Sequence, residues 1–446
     1  MAHSRRDRRE WAFRPMVLIA VLSCAFVATF AAGTFAAGKI LSAALASRVV
    51  TAVPAPAHKG AHQPPASIPH GSDWPMEGGG PAHTAASTIT GPATTPLRLT
   101  QAWRAQPKAA ALAPAAGAGP MVYAAMSDRG LYAVDVRNGK VKWRFDTPGK
   151  VMSSPAVSKG RVILTDTTGT LYVLDAATGK RQWSRSAGYS ASAPTVLERS
   201  TDNSSSIYLG TMRGTVDALD LQGHDQWSFP TKGMVTSSPA VAQGLLYVGS
   251  HDASLYALDA TTGRLNWSLR TGGGITVPPA VSDGVVYTTS ADSKIYAVSA
   301  VHGTLLWTHT IDSAQPGPVA VRDKGPGREA QLVTVAGAKV MALAAASGRE
   351  MWSQDLKTAT TSAPVLVNST VVVAADQELI ALETNSGQPS WHGPLAGRAT
   401  TAPMASGAKL VVGTSAGIQA FAPSPSAPTP GALGANPASA HVCPMG

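Results

Sequence analysis

The sequence predicts an all-β, eight-bladed propeller of four-stranded antiparallel blades, preceded by one N-terminal transmembrane helix. Three observations predict it. Tryptophans recur after residue 100 at Trp103, Trp143, Trp183, Trp227, Trp267, Trp307, Trp352 and Trp391, spaced by 39 to 45 residues. Each tryptophan after the first has a glycine four positions before it: Gly139, Gly179, Gly223, Gly263, Gly303, Gly348 and Gly387. An uncharged run from Met16 to Gly38 follows an arginine-rich start. A repeat of this period is the length of one propeller blade, so a single repetitive domain accounts for most of the 446 residues. With 14% charged residues, 43 Gly and 33 Pro, the composition also favours short strands and turns over long surface helices.

Residues 1–15 form a basic segment carrying Arg5, Arg6, Arg8, Arg9 and Arg14. The 23 residues 16–38 exceed the roughly 20 that a helix needs to cross a bilayer. Arginines stay on the cytoplasmic side, which sends the rest of the chain outward as an anchored extracytoplasmic domain. Two other readings stay open. Ala44-Leu45-Ala46 fits a small-x-small cleavage site, although the apolar run is longer than a signal peptide needs. Cys24 follows Leu22-Ser23 as a lipidated cysteine would, although the apolar run continues past it. Residues 39–72 read as a Pro/Ala-rich tether in which His58, His62 and His70 are solvated linker histidines. Residues 423–446 read as a disordered Pro/Ala-rich tail.

The unit from Ser238 to Leu269 shows why each part recurs. Pro239-Ala240-Val241 opens a short first strand, and Pro is tolerated at a strand's first position. Gly244 turns the chain into Leu245-Leu246-Tyr247-Val248, and His251-Asp252-Ala253-Ser254 turns it again. Leu255-Tyr256-Ala257-Leu258-Asp259 alternates as a third strand, Gly263 supplies a tight hairpin, and the fourth strand carries Trp267. A lone blade cannot cover both faces of its sheet, so the tryptophans are expected between blades, each costing ~3–5 kcal/mol on removal. The final unit, Ala402 to Ala422, has three strands and no tryptophan, whereas Leu97–Ala105 is one strand with Trp103. The N-terminal strand should therefore complete the eighth blade.

Both longer gaps place extra residues between a first and a second strand. Their candidate interaction residues are Glu198, Arg199 and Asp202 in blade three, and Arg322, Asp323, Lys324 and Arg328 in blade six. Tether, tail and both insertions are expected on one face. Asp128, Arg213, Asp252, Asp292 and Asp376 recur between second and third strands and could line the opposite face, although such residues more often satisfy turn backbone groups.

A net charge of +10 suggests nucleic acid only if it is clustered, and it is not: residues 1–95 carry 8 basic and 4 acidic residues, the remainder 28 and 22. Two cysteines, Cys24 and Cys443, make no disulfide framework. No nucleophile elbow, paired-carboxylate motif or phosphate loop is found; Glu77-Gly78-Gly79-Gly80 precedes Pro81 and reads as a flexible turn. His441, Cys443 and Met445 make a soft-ligand triplet suited to copper(I), or simply leave an exposed odd thiol.

The runs Leu255-Tyr256-Ala257-Leu258-Asp259-Ala260-Thr261-Thr262-Gly263 and Leu171-Tyr172-Val173-Leu174-Asp175-Ala176-Ala177-Thr178-Gly179, with Trp267 and Trp183, resemble the PQQ-like propeller repeat. Asp73-Trp74-Pro75-Met76 with His83-Thr84 resembles the lead-in segment of bacterial members, so the resemblance spans residues 73–422. It implies quinoprotein dehydrogenases, BamB-type assembly proteins or extracytoplasmic sensors. In the dehydrogenases it implies a quinone cofactor on the ring axis beside Ca²⁺ held by Glu, Asn and Asp, often under adjacent cysteines. This chain has no Cys-Cys pair and lacks the long insertions of those enzymes. The expectation is a monomeric, membrane-tethered, non-enzymatic propeller that binds an envelope protein, with no catalytic, cofactor or metal residues assigned. A PQQ and Ca²⁺-dependent oxidoreductase and a small-ligand sensor are the alternatives.

Overall fold

A computed structural model describes residues 76–424 apart from 81, 88–96, 106–108, 191, 200–203, 314–316, 326, 359 and 361. The expected transmembrane helix, tether, residues 425–446 of the tail, Asp202 and the His441, Cys443, Met445 triplet lie outside the described residues; the first two residues of the expected tail are instead ordered, Pro423 ending a strand and Ser424 N bonding Arg98 O. Among those described, no helix is long and apolar enough to cross a membrane.

Eight blades of four antiparallel strands follow one another along the chain, and the seventh sheet takes on a short fifth strand in parallel. Blades one to seven occupy residues 116–146, 156–186, 195–230, 240–270, 280–310, 320–355 and 365–394. Blade eight takes its first three strands from Met404–Ser406, Lys409–Thr414 and Gly417–Pro423, and its fourth from Leu99–Ala105. Leu99 faces Pro423 and Ala105 faces Ile418, so the two ends of the domain close the ring in one sheet, as the sequence predicts. The first strands neighbour one another around the ring axis. Second and third strands are almost wholly buried, and the fourth strands alternate exposed and half-buried residues on the outer wall.

The turn chemistry explains the repeating Asp-x-x-Thr-Gly. Asp259 Oδ1 accepts from the backbone N–H groups of Thr261 and Thr262 and from the Thr262 hydroxyl, which organises the turn as an Asx-type cap. Asp175 does the same for Thr178. Gly263 then adopts φ +70°. Its second role is steric: a Cβ there would meet the Trp227 ring at 2.6 Å. The glycine of one blade is the seat of the tryptophan of the blade before it, from Gly139 under Trp103 to Gly387 under Trp352.

Each seated indole also donates its Nε1 hydrogen to a carbonyl in the same turn of the next blade. Trp143 reaches Ala176 O at 3.0 Å, Trp227 Ala260 O at 3.2 Å, Trp267 Ala300 O at 2.9 Å and Trp307 Ala345 O at 3.0 Å. Tyr123, Tyr208, Tyr247 and Tyr287 send their hydroxyls to those same four carbonyls. One carbonyl thus uses both lone pairs on two aromatic donors of the preceding blade. Burial of the tryptophans is less uniform than expected. Trp103, Trp267 and Trp352 are buried, while the other five are half-buried on the outer wall, where the indole edge meets solvent. Trp391 has no glycine seat, because the next blade has chain ends where a turn would be; it packs edge-on against Phe421 with ring centroids 6.0 Å apart.

The seat predicts a difference between two glycines of similar backbone. Gly284 has φ +74° and open space around its Cβ position, whereas Gly303 has φ +68° and Trp267 at 2.6 Å. Gly284→Ala is expected to lose about 1–2 kcal/mol from backbone strain alone, and Gly303→Ala about 1–3 kcal/mol more from overpacking, measured by urea unfolding. Equal losses would show that the tryptophan seat contributes nothing.

Candidate functional site

The ring has two faces. The front carries the second-to-third-strand turns and the links between blades, which bond to each other: Thr167 N to Lys150 O, Met212 N to Tyr189 O and His251 N to Met234 O. The back carries the first-to-second and third-to-fourth turns, tied in the same way by Ala176 N to Gly160 O and Ala260 N to Gly244 O.

Blade edges facing the axis leave unpaired backbone groups, and the chain supplies its own partner for them. Residues 76–87 lie within the ring of first strands. Ala82, Thr84, Ala85 and Ser87 offer their carbonyls to the N–H groups of Val281, Val321, Leu366 and Asn368, in blades five, six and seven. Ala86–Ser87 pairs in parallel with Val365–Val367 as a fifth strand of blade seven. Side chains reach blades three and four: Glu77 accepts from the Ser238 hydroxyl at 2.6 Å, and His83 Nε2 lies 3.5 Å from Thr195 Oγ1.

One sequence expectation changes here. The Glu77–Gly80 segment is not a loose turn but a 3-10 turn built into the axis, closed by Ala85 N bonding Gly78 O at 2.9 Å. The axial segment lies between the expected tether, residues 39–72, and the strand Leu99–Ala105, where the sequence reading has the lead-in segment. It ends beside Asn368 in a back-face turn, the face where Leu99 and Pro423 meet and where the first-to-second-strand turns that hold both insertions also lie, while the tether itself is outside the described residues.

Above the segment, the axis opens to the front as a funnel of about 230 Å³. Glu77 forms part of its lining, with the hydroxyl residues Ser153, Ser154, Thr236, Ser238 and Thr276 and the apolar Pro114, Met152, Val277, Pro278 and Pro318. Burial pushes the Glu77 carboxyl above its usual range, and the Ser238 hydrogen bond offsets this only in part. Burial also holds the His83 imidazole down at about 4, and its Nδ1 has no partner among the described residues. A planar quinone placed on the axis at residues 82–87 would displace hydrogen bonds to three blades, and the described lining of the funnel offers no basic side chain for its carboxylates. The axial residues present do not fit that cofactor. No cluster of three His, Cys, Asp or Glu side chains suited to a metal occurs among the described residues.

The loop residues singled out from the sequence sit at the blade junctions. On the back face, Glu198 accepts from Ser158 of blade two, and Arg199 reaches Ser206 and Thr261 of blade four. Arg322 donates to Thr384 of blade seven, and Asp323 accepts from Ser282 of blade five. Lys324 and Arg328 are exposed. On the front, Asp128, Asp252 and Asp292 accept from Tyr132, Tyr256 and Tyr296 at 2.6, 2.7 and 2.5 Å and from backbone N–H groups. Asp166, which the sequence reading passed over, holds the same place beside Tyr172. Asp376 pairs with Arg398 at 2.7 Å, and Arg213 packs against Gly188. These side chains organise turns. The front also carries exposed apolar side chains among exposed basic ones such as Arg129, Lys150, Arg213 and Lys232: Met152, Tyr189 and Met234, 47%, 39% and 39% exposed, stand on the links entering three consecutive blades.

His83 sets a pH dependence. Its folded value near 4 lies below the ordinary 6.5, so its contribution is complete above pH 6.5 and is lost as pH falls toward 4. The stability difference between wild type and His83→Gln is expected to change by about 3 kcal/mol across that window, read from urea midpoints at each pH. A flat difference would place His83 in contact with solvent.

Comparison with known proteins agrees with the ring. Residues 99–228, 212–325 and 321–424 match the family described as outer membrane protein assembly factor BamB. Among curated relatives, the serine/threonine-protein kinase AfsK of Streptomyces griseus is 34% identical over 183 residues, 32% of this chain and 23% of the kinase. BamB of Nitrosomonas eutropha is 30% identical over 116 residues, 25% of this chain and 26% of that protein. The matched stretches thus span about a quarter of each. Among solved structures, BamB from Moraxella catarrhalis aligns with a TM-score of 0.61 at 18% identity, covering 73% of this chain and 99% of that one. Quinohemoprotein alcohol dehydrogenase from Comamonas testosteroni aligns at 0.65 and 16%, covering 78% and 80%. At such identities the structures share the fold and nothing finer. Since three overlapping matches cover the whole ring, the chain belongs to the PQQ-like repeat family described as outer membrane protein assembly factor BamB.

Proposed function

We propose that the chain is a non-enzymatic binding module of the cell envelope, held to the cytoplasmic membrane by residues 16–38 and presenting the front of its propeller to a protein partner. The observation that carries this reading is the apolar rim. Met152, Tyr189 and Met234 are the exposed large apolar side chains of the front face among the described residues, on the links entering adjacent blades, with Met152 lining the funnel. Neighbouring exposed apolar groups on a rigid loop face mark an interaction surface more often than a catalytic one. Aromatic and methionine side chains are also those enriched at interface centres. The family's BamB relatives, named for outer-membrane protein assembly, support a scaffold role over an oxidoreductase one, and the axial segment supports the same choice.

The test is photocrosslinking in membranes bearing the full chain, with a benzophenone amino acid replacing Tyr189 or, as a control on the outer wall, Leu306, which is 51% exposed. A discrete protein adduct from position 189 that weakens several-fold in Met152→Ser/Met234→Ser is expected. Adducts equal from both positions, or from neither, would refute the front-face assignment.

A further inference from the structure

We propose that the axial funnel is a binding site for a small organic cation, which presents a primary ammonium to the Glu77 carboxyl and lays a short apolar chain against Val277, Pro278 and Pro318. Three features point to that chemistry. First, Glu77 is the one charged side chain in the described lining of the funnel, and it has no counter-ion there. Its Oε2 accepts from Ser238 Oγ, and that hydroxyl in turn accepts from Ala193 N at 2.9 Å. The bond leaves Glu77 hydrogen-bonded but not neutralised. A buried carboxyl without a counter-ion either keeps a proton or takes up a cation, and burial does raise its affinity for the proton.

Second, Ser154 is only 2% exposed, lines the same funnel, and its Oγ has no hydrogen-bond partner among the described residues. An unmade bond at a buried hydroxyl is costly in a folded protein unless something else completes it. An ammonium has three donors and no acceptor, which suits one carboxylate oxygen and neighbouring hydroxyl oxygens. Third, the remaining wall is Pro, Val and Met, with no aromatic face to stack a sugar or a planar ring. An anion would meet Glu77 with no basic side chain in the described lining to offset it. The space of about 230 Å³ suits a ligand of a few heavy atoms rather than a chain segment.

The experiment uses the full-length protein with n-butylamine, n-butanol and butyrate as cationic, neutral and anionic probes of one length. Saturation-transfer NMR titrations give the three affinities. The amine is expected to bind at least about tenfold more tightly than the alcohol, with butyrate weaker still. Glu77→Gln, which keeps the shape and can still accept from Ser238, is expected to erase the preference for the amine. Ser154→Ala should weaken the amine several-fold while leaving the unfolding midpoint unchanged. If Glu77→Gln does not fold, Glu77→Asp, which withdraws the charge by one methylene, must weaken the amine instead. Equal binding of amine and alcohol, binding by none of the three probes, or amine binding indifferent to the Glu77 variant would each overturn the proposal.

Discussion

Everything in the ring depends on how one blade attaches to the next, and that attachment is a single turn read from two sides. Its glycine leaves room for the preceding blade's indole, and the carbonyl three residues before that glycine takes the indole hydrogen at Ala176 and Ala300. In four junctions the second-strand tyrosine donates to the same oxygen. The geometry is restrictive because it joins a steric condition to a hydrogen-bond condition at one place. A tryptophan displaced along its strand would lose both together. Blade spacing is therefore set by short polar contacts inside an apolar interface, and the alternating burial of each blade follows from that spacing.

The exception shows the rule's origin. Trp391 faces the seam, where no continuous turn exists, and it rests on Phe421 instead. Closure there is carried by the backbone ladder between Leu99–Ala105 and Gly417–Pro423, with Gln419 bonding Gln101 across it. A ring joined by ladder hydrogen bonds has no free sheet edge on its circumference path, which is the condition a cyclic β architecture has to meet.

Closing eight sheets into a ring creates a second problem on the axis, since the first strands turn an unpaired edge inward. The segment 76–87 answers it by offering carbonyls to three blades and side chains to two more. The same solution shapes function. Beside the segment a funnel stays open to the front, lined in part by the Glu77 carboxyl, which burial discourages from ionising. Exposed apolar side chains stand on the inter-blade links of the same face, Met152 among the residues that line the funnel.

Period, blade number, strand order and the joining of the chain ends were all legible in the sequence, because each rests on local signals: a glycine at fixed distance from a tryptophan, alternation within strands, and an odd strand at each terminus. Asp128 acts within its own turn by accepting from Gly130 N, which is a local signal, whereas Asp252 and Asp292 accept from Lys232 N and Gly272 N on the links twenty residues earlier, which is not. What local signals cannot carry is which residues meet across the ring. Tyr123 and Trp143 share Ala176 O, and Ser238 of blade four meets Glu77 across 161 positions of sequence. Glu77-Gly78-Gly79-Gly80 looks flexible in isolation, and only the surrounding first strands, with edge N–H groups needing acceptors, hold it in the axis.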